Sequence, residues 1–249
     1  MKILYFEAPD GISGDMTLGA LIDLGADVAQ IRAALDTFVP EPYSLVPRAF
    51  QRNGITGQNL EVLVAPASHE HRRHADIAAL IEGSGLTARA KKYARDIFSV
   101  IAEAEARVHG TTPDAVAFHE VGAMDSIIDI VGTAVAVDLL GAERFFCGAL
   151  HDGSGTILCQ HGEIPVPVPA VLEMAQGAGL PIVIDADVET EMITPTGFGI
   201  IKGLGAQFEP HLGIVAERVG YGFGKRDTGR LGAVRVTLGT LYTEEQRQT

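Results

Sequence analysis

The sequence is poor in cysteine, has fewer basic than acidic residues and contains no long apolar run. Its two cysteines, Cys147 and Cys159, are too few for a four-cysteine zinc site or a disulfide framework. The 32 acidic residues against 19 basic ones give a formal net charge of −13, which argues against a nucleic-acid backbone as the main partner. No segment offers the roughly 18 uninterrupted apolar residues of a transmembrane helix, and residues 1–6 lack the regions of a signal peptide. We therefore expect a cytoplasmic protein with no nucleic-acid and no membrane partner.

Familiar hydrolase motifs are missing as well. The chain has no Gly-x-Ser-x-Gly nucleophile elbow and no His-Glu-x-x-His metalloprotease motif. Cys159 and His161 are two residues apart, which would place them on one face of a strand, yet no third group completes a triad. Nucleophilic hydrolysis therefore has little support.

The apolar pattern predicts helices and strands without strict βαβ alternation. We predict an α+β fold with mixed sheets and packed helices, over a single region 1–249 or two subdomains divided between residues 110 and 144. Predicted strands are 3–6, 43–50, 55–64, 145–150, 155–159, 182–189, 214–219 and 234–241. Predicted helices are 15–24, 31–35, 75–82, 88–109, 125–140 and 170–176, and Thr87 and Gly110 are expected to cap the longest one.

Residues 118–131 are the most informative stretch. His119 and Glu120 precede a glycine turn, after which a helical pattern opens with Asp125 and Asp129. Positions four apart share a helix face, so both carboxylates would point the same way beside an apolar surface. Buried carboxylates need a cation, a metal or hydrogen-bond donors. In the alternative interpretation, Asp125 is only an N-terminal helix residue and Asp129 is solvated.

Two groups of residues favour transition-metal binding. His69, His71 and His74 lie within six residues, and imidazole suits nickel, copper and zinc. Arg72 and Arg73 lie among them, so a solvated basic loop that grips an anion is an alternative.

On the longest predicted helix, Glu105 and His109 share a face, so one metal or one substrate group could touch both. The short distance in sequence to His119 and Glu120 would let a loop bring these groups together. In the alternative interpretation, His109 only interacts with the helix dipole.

Three glycine-rich or hydroxyl-rich segments indicate anion binding. Residues 11–15, Gly-Ile-Ser-Gly-Asp, lie between a strand and a helix and lack the P-loop lysine; the alternative is a tight turn capped by Ser13 or Asp15. Residues 194–197, Thr-Pro-Thr-Gly, are predicted to form a rigid turn that presents two hydroxyls. Residues 220–227 form a glycine loop with two cations that could meet a phosphate.

Several motifs together resemble the LarC family, the nickel-insertion proteins of nickel-pincer cofactor synthesis. The order and spacing match along nearly the whole chain. The matching motifs are GISGDM at 11–16, VHG at 108–110, HEVGAMDSIIDI at 119–130, HGEIPVP at 161–167, TPTG at 194–197 and GYGFG at 220–224.

The resemblance implies a reaction. A LarC-type protein inserts Ni(II) into pyridinium-3,5-bisthiocarboxylic acid mononucleotide, a pyridinium dithiocarboxylate mononucleotide, and forms one nickel–carbon and two nickel–sulfur bonds. The reaction depends on CTP with Mg or Mn, and the product serves an acceptor enzyme of the lactate racemase type. The resemblance also implies a C-terminal LarC domain for CTP binding and oligomer formation, beyond residue 249, and a homo-oligomer. The chain departs from the expected pattern at Glu7, Asp10 and the Phe198-Gly199 pair, which weakens a role for the first two and predicts a narrower pocket at the third.

Three hypotheses follow. The first is the nickel- and substrate-holding part of a CTP-dependent nickel chelatase, or cyclometallase, of the lyase class. The second is a nickel metallochaperone without turnover, and the third a metal-dependent hydrolase of a small phosphorylated compound. For the first, the predicted catalytic residues are Glu105, His119, Glu120, Asp125 and Asp129, with the two aspartates as supporting carboxylates or a metal site. The predicted substrate-binding residues are Gly11, Ser13, Gly14, Asp15, Thr194 and Thr196, and the predicted metal ligands are His69, His71, His74, His109, His119 and Glu120.

Overall fold

The computed structural model describes residues 1–39, 41–64, 72–116, 118, 123–159 and 161–242. The strands in this part of the chain are β1 Lys2–Ala8, β2 Tyr43–Arg52, β3 Ile55–Val64, β4 Arg144–Asp152, β5 Thr156–Cys159, β6 Gly162–Pro165, β7 Ile182–Ile184, β8 Gln207–Phe208, β9 Ile214–Phe223 and β10 Ala233–Leu241. The helices are α1 Gly14–Asp23, α2 Val28–Leu35, α3 His74–Gly83, α4 Ala88–His109, α5 Met124–Leu140, α6 Pro169–Ala175 and α7 Pro195–Gly203, with a short 3-10 helix at Pro113–Ala115. The predicted α+β class is confirmed.

The main sheet is mixed. Its strand order is β2-β3-β9-β10-β1-β4-β7, and β8 pairs with β4. β1 lies antiparallel to β10 and parallel to β4, while β5 and β6 form a separate antiparallel hairpin. β1 lies in the interior of the sheet, and nearly every second residue along it is buried. The helices therefore pack against an apolar face of the sheet.

Close contacts determine how α1 packs against its neighbours. A Cβ on Gly222 of β9 would lie 1.8 Å from the carbonyl oxygen of Met16, and one on Gly132 of α5 would lie 2.7 Å from Leu18 Cδ2. Glycine at position 222 therefore allows the backbones of α1 and β9 to approach this closely, whereas the neighbour of Gly132 is the flexible end of the Leu18 side chain. The first two turns of α1 are thus packed against the middle of α5 and the end of β9.

The core is continuous across the described residues. A single cluster of buried apolar side chains includes residues from β1, α1, α4, α5, α7 and β10. Helix α5 is buried on nearly all sides, which is the behaviour of a helix inside a large core. The division into two subdomains between residues 110 and 144 stays a prediction.

Helix α4 confirms the sequence reading of its ends. The Thr87 side chain accepts a hydrogen bond from the Ala90 amide, and Gly110 ends the helix with a left-handed φ of 63°. No helix in the described part of the chain is long and apolar enough to cross a membrane.

Two local predictions are wrong, and two short strands were not predicted. The strand predicted at 182–189 ends at Ile184, because the chain then turns with Asp185 donating its amide to the Asp152 carbonyl at 2.8 Å. The turn predicted at 194–197 is the first turn of α7, with Pro195 at a position where its missing N–H costs nothing. Strands β6 and β8 had no prediction, since four and two residues are too short for a clear period.

Candidate functional site

A cleft of about 400 Å³ lies where four segments meet. These segments are the N-terminus of α1, the first two turns of α5, residues 191–196 before and at the start of α7, and the loop that follows β9. The predicted residues that line the cleft are Ser13, Gly14, Asp15, Asp125, Asp129, Thr194 and Thr196. The fold therefore brings together segments that are far apart in sequence, as the contact between Asp15 and Lys225 shows.

The predicted anion loop is a helix cap in this structure. Ser13 is the N-cap residue of α1 and its hydroxyl donates to the Asp15 carboxylate. The Met16 amide donates to Asp15 Oδ1 at 2.9 Å. Gly11 does not line the cleft; its φ of 91° and its approach to Met192, where a Cβ would lie 2.3 Å from the carbonyl oxygen, bring two chain segments together. The capped-turn alternative thus describes the local geometry, and the substrate-binding role of the loop stays a prediction.

Asp129 is the most unusual side chain of the cleft. It is 8% exposed, and its Oδ1 is buried without a hydrogen-bond partner. Burial raises the pKa of Asp129 well above its ordinary value, the negative charges of Asp15 and Asp125 raise it further, and Lys225 lowers it. Asp125 is exposed on the same side of α5, as the four-residue spacing predicts, and its Oδ1 accepts the Ser126 amide at 2.9 Å.

Asp152 holds in place the segment 191–196, which forms one wall of the cleft. Its side chain is fully buried, and its Oδ1 accepts hydrogen bonds from the amides of Gly153, Met192 and Ile193 at 2.8, 2.8 and 3.0 Å. Burial raises the pKa of Asp152, and these amides lower it in part. The segment so fixed then pairs with Ile12, whose amide donates to the Met192 carbonyl at 2.9 Å. Asp152 therefore sets the position of the wall without lining the cleft.

The hydroxyls of residues 194–197 are less available than predicted. Thr194 Oγ1 accepts the Gly197 amide at 3.1 Å as the N-cap of α7. Thr196 is 7% exposed, and its methyl group lies against Gly14.

Lys225 and Arg226 supply the cations of the cleft. Lys225 Nζ lies 3.0 Å from Asp15 Oδ2. Burial lowers the pKa of Lys225, but Asp15, Asp129 and Asp125 more than offset this effect, so the pKa is raised. Arg226 donates to the Glu191 carbonyl at 2.8 Å and pairs with its carboxylate at 3.4 Å. The glycine-rich loop at 220–227 was the only sequence signal for these cations, and Glu191 had none.

A second cluster of possible metal donors lies outside the cleft lining. His109 Nε2 is 3.2 Å from Glu105 Oε2, and the His109 ring centroid is 5.0 Å from that of His161. His161 Nδ1 is 3.8 Å from Cys159 Sγ. Even so, among the described residues no three histidine, cysteine, aspartate or glutamate side chains are grouped so that they could hold a metal ion.

The remaining predicted ligands divide between described and undescribed parts of the chain. His69, His71, His119 and Glu120 lie outside the described residues. His74 begins α3; its side chain is 16% exposed, and its Nδ1 lies 4.0 Å from Asp114 Oδ1. Burial lowers the pKa of His74 despite the opposing effect of Asp114 and Glu103.

An acidic cleft of this size with two cations has the features expected of a site for a small charged molecule. Comparison with known proteins identifies the family. The nickel insertion protein family matches residues 4–249, and the chain belongs to that family, as the resemblance to LarC indicated.

Curated relatives carry a more specific name. Proteins from Acetivibrio thermocellus and Lactiplantibacillus plantarum, each called pyridinium-3,5-bisthiocarboxylic acid mononucleotide nickel insertion protein, are each 44% identical to this chain. The matches cover 99% and 96% of this chain and 62% and 61% of the relatives. A protein of the same name from Desulfitobacterium hafniense is 40% identical over 100% of this chain and 61% of its own length. This chain thus spans about three fifths of their length, and no solved structure matches it.

Proposed function

We propose that this chain is part of a nickel chelatase that inserts Ni(II) into pyridinium-3,5-bisthiocarboxylic acid mononucleotide, and that the nucleotide binds in the cleft at the start of α1 and α5. Membership of the family and the names of the relatives support the reaction. One observation supports this location of the nucleotide: the buried carboxylate of Asp129, whose Oδ1 has no hydrogen-bond partner, lies in a cleft that also carries Lys225 and Arg226.

The charges of the cleft suit the charges of this nucleotide. A phosphate needs cations or amide donors, and Lys225 and Arg226 lie at the cleft with more than half of each side chain exposed. A pyridinium ring carries a positive charge, which Asp125 and Asp129 would stabilise in a partly buried site. A volume of about 400 Å³ is also in the range of small-molecule sites.

The proposed reaction also involves CTP, a divalent metal ion and partner proteins. We propose that insertion requires CTP with Mg or Mn, and that the region of the relatives outside the match supplies the CTP site. Within the described residues no three side chains are grouped so that they could hold the Mg or Mn ion. The product would pass to an acceptor enzyme of the lactate racemase type, the protein would act in the cytoplasm, and it would work as a homo-oligomer.

The experiment is an insertion assay. The chain is incubated with Ni(II), the mononucleotide and CTP with Mg, with and without the region of the Lactiplantibacillus plantarum relative that the match leaves uncovered. Mass spectrometry should detect a nucleotide that has gained nickel. Absence of this product in the complete mixture, with the relative's full-length protein active in parallel, would contradict the proposal.

A metallochaperone without turnover is the second candidate, and the histidine run of His69, His71 and His74 favours it, since imidazole is a good nickel ligand. Nickel titration separates the two functions. Tight nickel binding without the nucleotide, together with no insertion, supports the carrier. Nickel retained only when the nucleotide is present supports the chelatase.

A further inference from the structure

We propose that Asp129 accepts the ring proton that leaves when the nickel–carbon bond forms. This inference rests on the proposed function and assigns a chemical step to one side chain of the same cleft.

The step needs a base but no oxidant or reductant. The bond between the ring carbon and its hydrogen, at the position between the two thiocarboxylates, breaks, and its electron pair becomes the nickel–carbon bond. The proton passes to a carboxylate oxygen of Asp129, and nickel stays Ni(II). Since each thiocarboxylate supplies a sulfur to the metal, the ring carbon is held beside the metal and only the proton has to be removed.

Three other carboxylates of the cleft are engaged in hydrogen bonds or ion pairs, and a fourth, Asp125, is exposed to solvent. Asp15 accepts from Ser13 and Met16 and pairs with Lys225. Asp10 accepts the Gly232 amide at 3.1 Å, and Glu191 pairs with Arg226. Among the described cleft residues, Asp129 alone has a buried carboxylate oxygen without a hydrogen-bond partner.

The surroundings of Asp129 make its carboxylate a stronger base. Because burial and the charges of Asp15 and Asp125 raise its pKa, the ionised form binds a proton more readily than an exposed carboxylate does. The positive charge of a bound pyridinium ring would favour that ionised form before the step. Its low exposure also limits competition from water for the same oxygen.

The packing around Asp129 limits where its carboxylate can lie. A Cβ on Gly14 would lie 2.8 Å from Asp129 Cβ and 2.9 Å from its Oδ2, so α1 closes one side of the carboxylate. Lys225 lies near enough to lower its pKa. Oδ1 is fully buried and has no hydrogen-bond partner, while the residue lines the cleft with a small exposed fraction, so the proton is assigned to the carboxylate group and not to Oδ1.

The test is a single-turnover insertion assay of Asp129→Asn, in the mixture that supports insertion by the wild type. Asparagine keeps the size and removes the base. We expect the insertion rate to fall by about a hundredfold or more, as for loss of a general base, while the affinities for nickel and nucleotide, measured by calorimetry, stay within about threefold. The matched control is Asp96→Asn, an exposed aspartate of α4 paired with Lys92, which should insert at the wild-type rate.

Chemical rescue tests the same assignment independently of the asparagine variant. Asp129→Ala leaves space for formate, and added formate should raise the insertion rate in proportion to its concentration. A rate loss below about a hundredfold in Asp129→Asn, a loss that follows weaker nickel or nucleotide binding, or an absence of formate rescue would overturn the assignment. Each of these results leaves the proposed function standing, because that function fails only if the wild type inserts no nickel.

Discussion

Gly14 and Asp129 are packed against each other so closely that no side chain fits between them. A Cβ on Gly14 would lie 2.8 Å from Asp129 Cβ and also 2.8 Å from Thr196 Cγ2. The first turns of α1 and α7 and the second turn of α5 therefore meet at one point in the lining of the cleft. The position of the Asp129 carboxylate depends on this contact.

Replacing Gly14 with alanine should disturb that contact. Overpacking of this kind typically costs about 1–3 kcal/mol of unfolding free energy, and the shift of Asp129 should also weaken nucleotide binding. Denaturant unfolding and calorimetry measure the two effects. Gly83→Ala is the matched control, because nothing lies within 4 Å of its Cβ; equal stability of the two variants would contradict the tight packing.

The raised pKa of Asp129 predicts how stability changes with pH. A carboxyl group whose pKa is higher in the folded than in the unfolded protein makes folding weaker once it ionises. The unfolding free energy of the wild type, taken relative to that of Asp129→Asn, should therefore be unaffected well below the ordinary value of 3.8. It should then fall as the pH rises toward the pKa of the folded protein.

Unfolding in denaturant at about pH 5 and at about pH 8 measures this difference. Subtracting the unfolding free energy of Asp129→Asn from that of the wild type removes the contributions of the other ionisable groups. The exceptions are Asp15, Asp125 and Lys225, whose charges interact with Asp129. A difference that rises with pH in favour of the wild type would show that Asp129 is ionised and stabilised in the folded state.

Lys225→Gln should weaken binding of the phosphate-bearing nucleotide. Loss of one cation from a charge-assisted contact is expected to cost roughly 1.5–3 kcal/mol, which corresponds to about tenfold or more in affinity. The dependence of affinity on salt should also decrease. Lys92→Gln is the control, since Lys92 is similarly exposed, at 63% against 57%, and also pairs with an aspartate. Equal affinities in the two variants would place the phosphate elsewhere.

The regular elements were largely predictable because their signals are local. The helix from Ala88 to His109 has an apolar stripe, a threonine cap and a terminal glycine within one segment. The spacing of Asp125 and Asp129 correctly placed both on one side of α5, since helix geometry alone fixes that relation.

What could not be predicted depends on tertiary contacts. The motif Thr194-Pro195-Thr196-Gly197 predicted a rigid turn, but burial of Phe198, Ile200 and Ile201 makes it the start of α7. Asp152 had no motif because its role is to accept amides 40 and 41 residues further along the chain. The pairing of Glu191 with Arg226 likewise joins segments that only the folded chain brings together.

The histidine run of His69, His71 and His74 predicts a contribution to nickel binding. Changing His69, His71 and His74 together to alanine should lower the nickel stoichiometry measured by calorimetry, since imidazole is a good nickel ligand. His74 is largely buried, so His69→Ala with His71→Ala is tested separately as the variant with less effect on folding. His211→Ala, an exposed histidine elsewhere, is the control. An unchanged stoichiometry would support the solvated-loop interpretation.

Because Asp152 Oδ1 accepts three backbone amides, replacing Asp152 with alanine and with asparagine should affect stability differently. Asp152→Ala removes the acceptor of three backbone amides in the interior, and buried groups left unpaired each cost about 1–3 kcal/mol. We therefore expect a loss of about 3 kcal/mol or more in unfolding free energy. Asp152→Asn keeps a carbonyl oxygen for the same amides, so its loss should be about 1 kcal/mol.

The same contrast should appear in the cleft. Because the amides that Asp152 holds belong to Met192 and Ile193, and Met192 in turn pairs with Ile12, the alanine variant should bind the nucleotide more weakly even where it is fully folded. The asparagine variant should bind it nearly as the wild type does. Asp187→Ala is the control, since Asp187 is 80% exposed and its pair with Arg230 is at the surface. If alanine and asparagine at position 152 gave equal losses of stability and binding, the acceptor role of Oδ1 would be wrong, and the wall of the cleft would owe its position to other contacts.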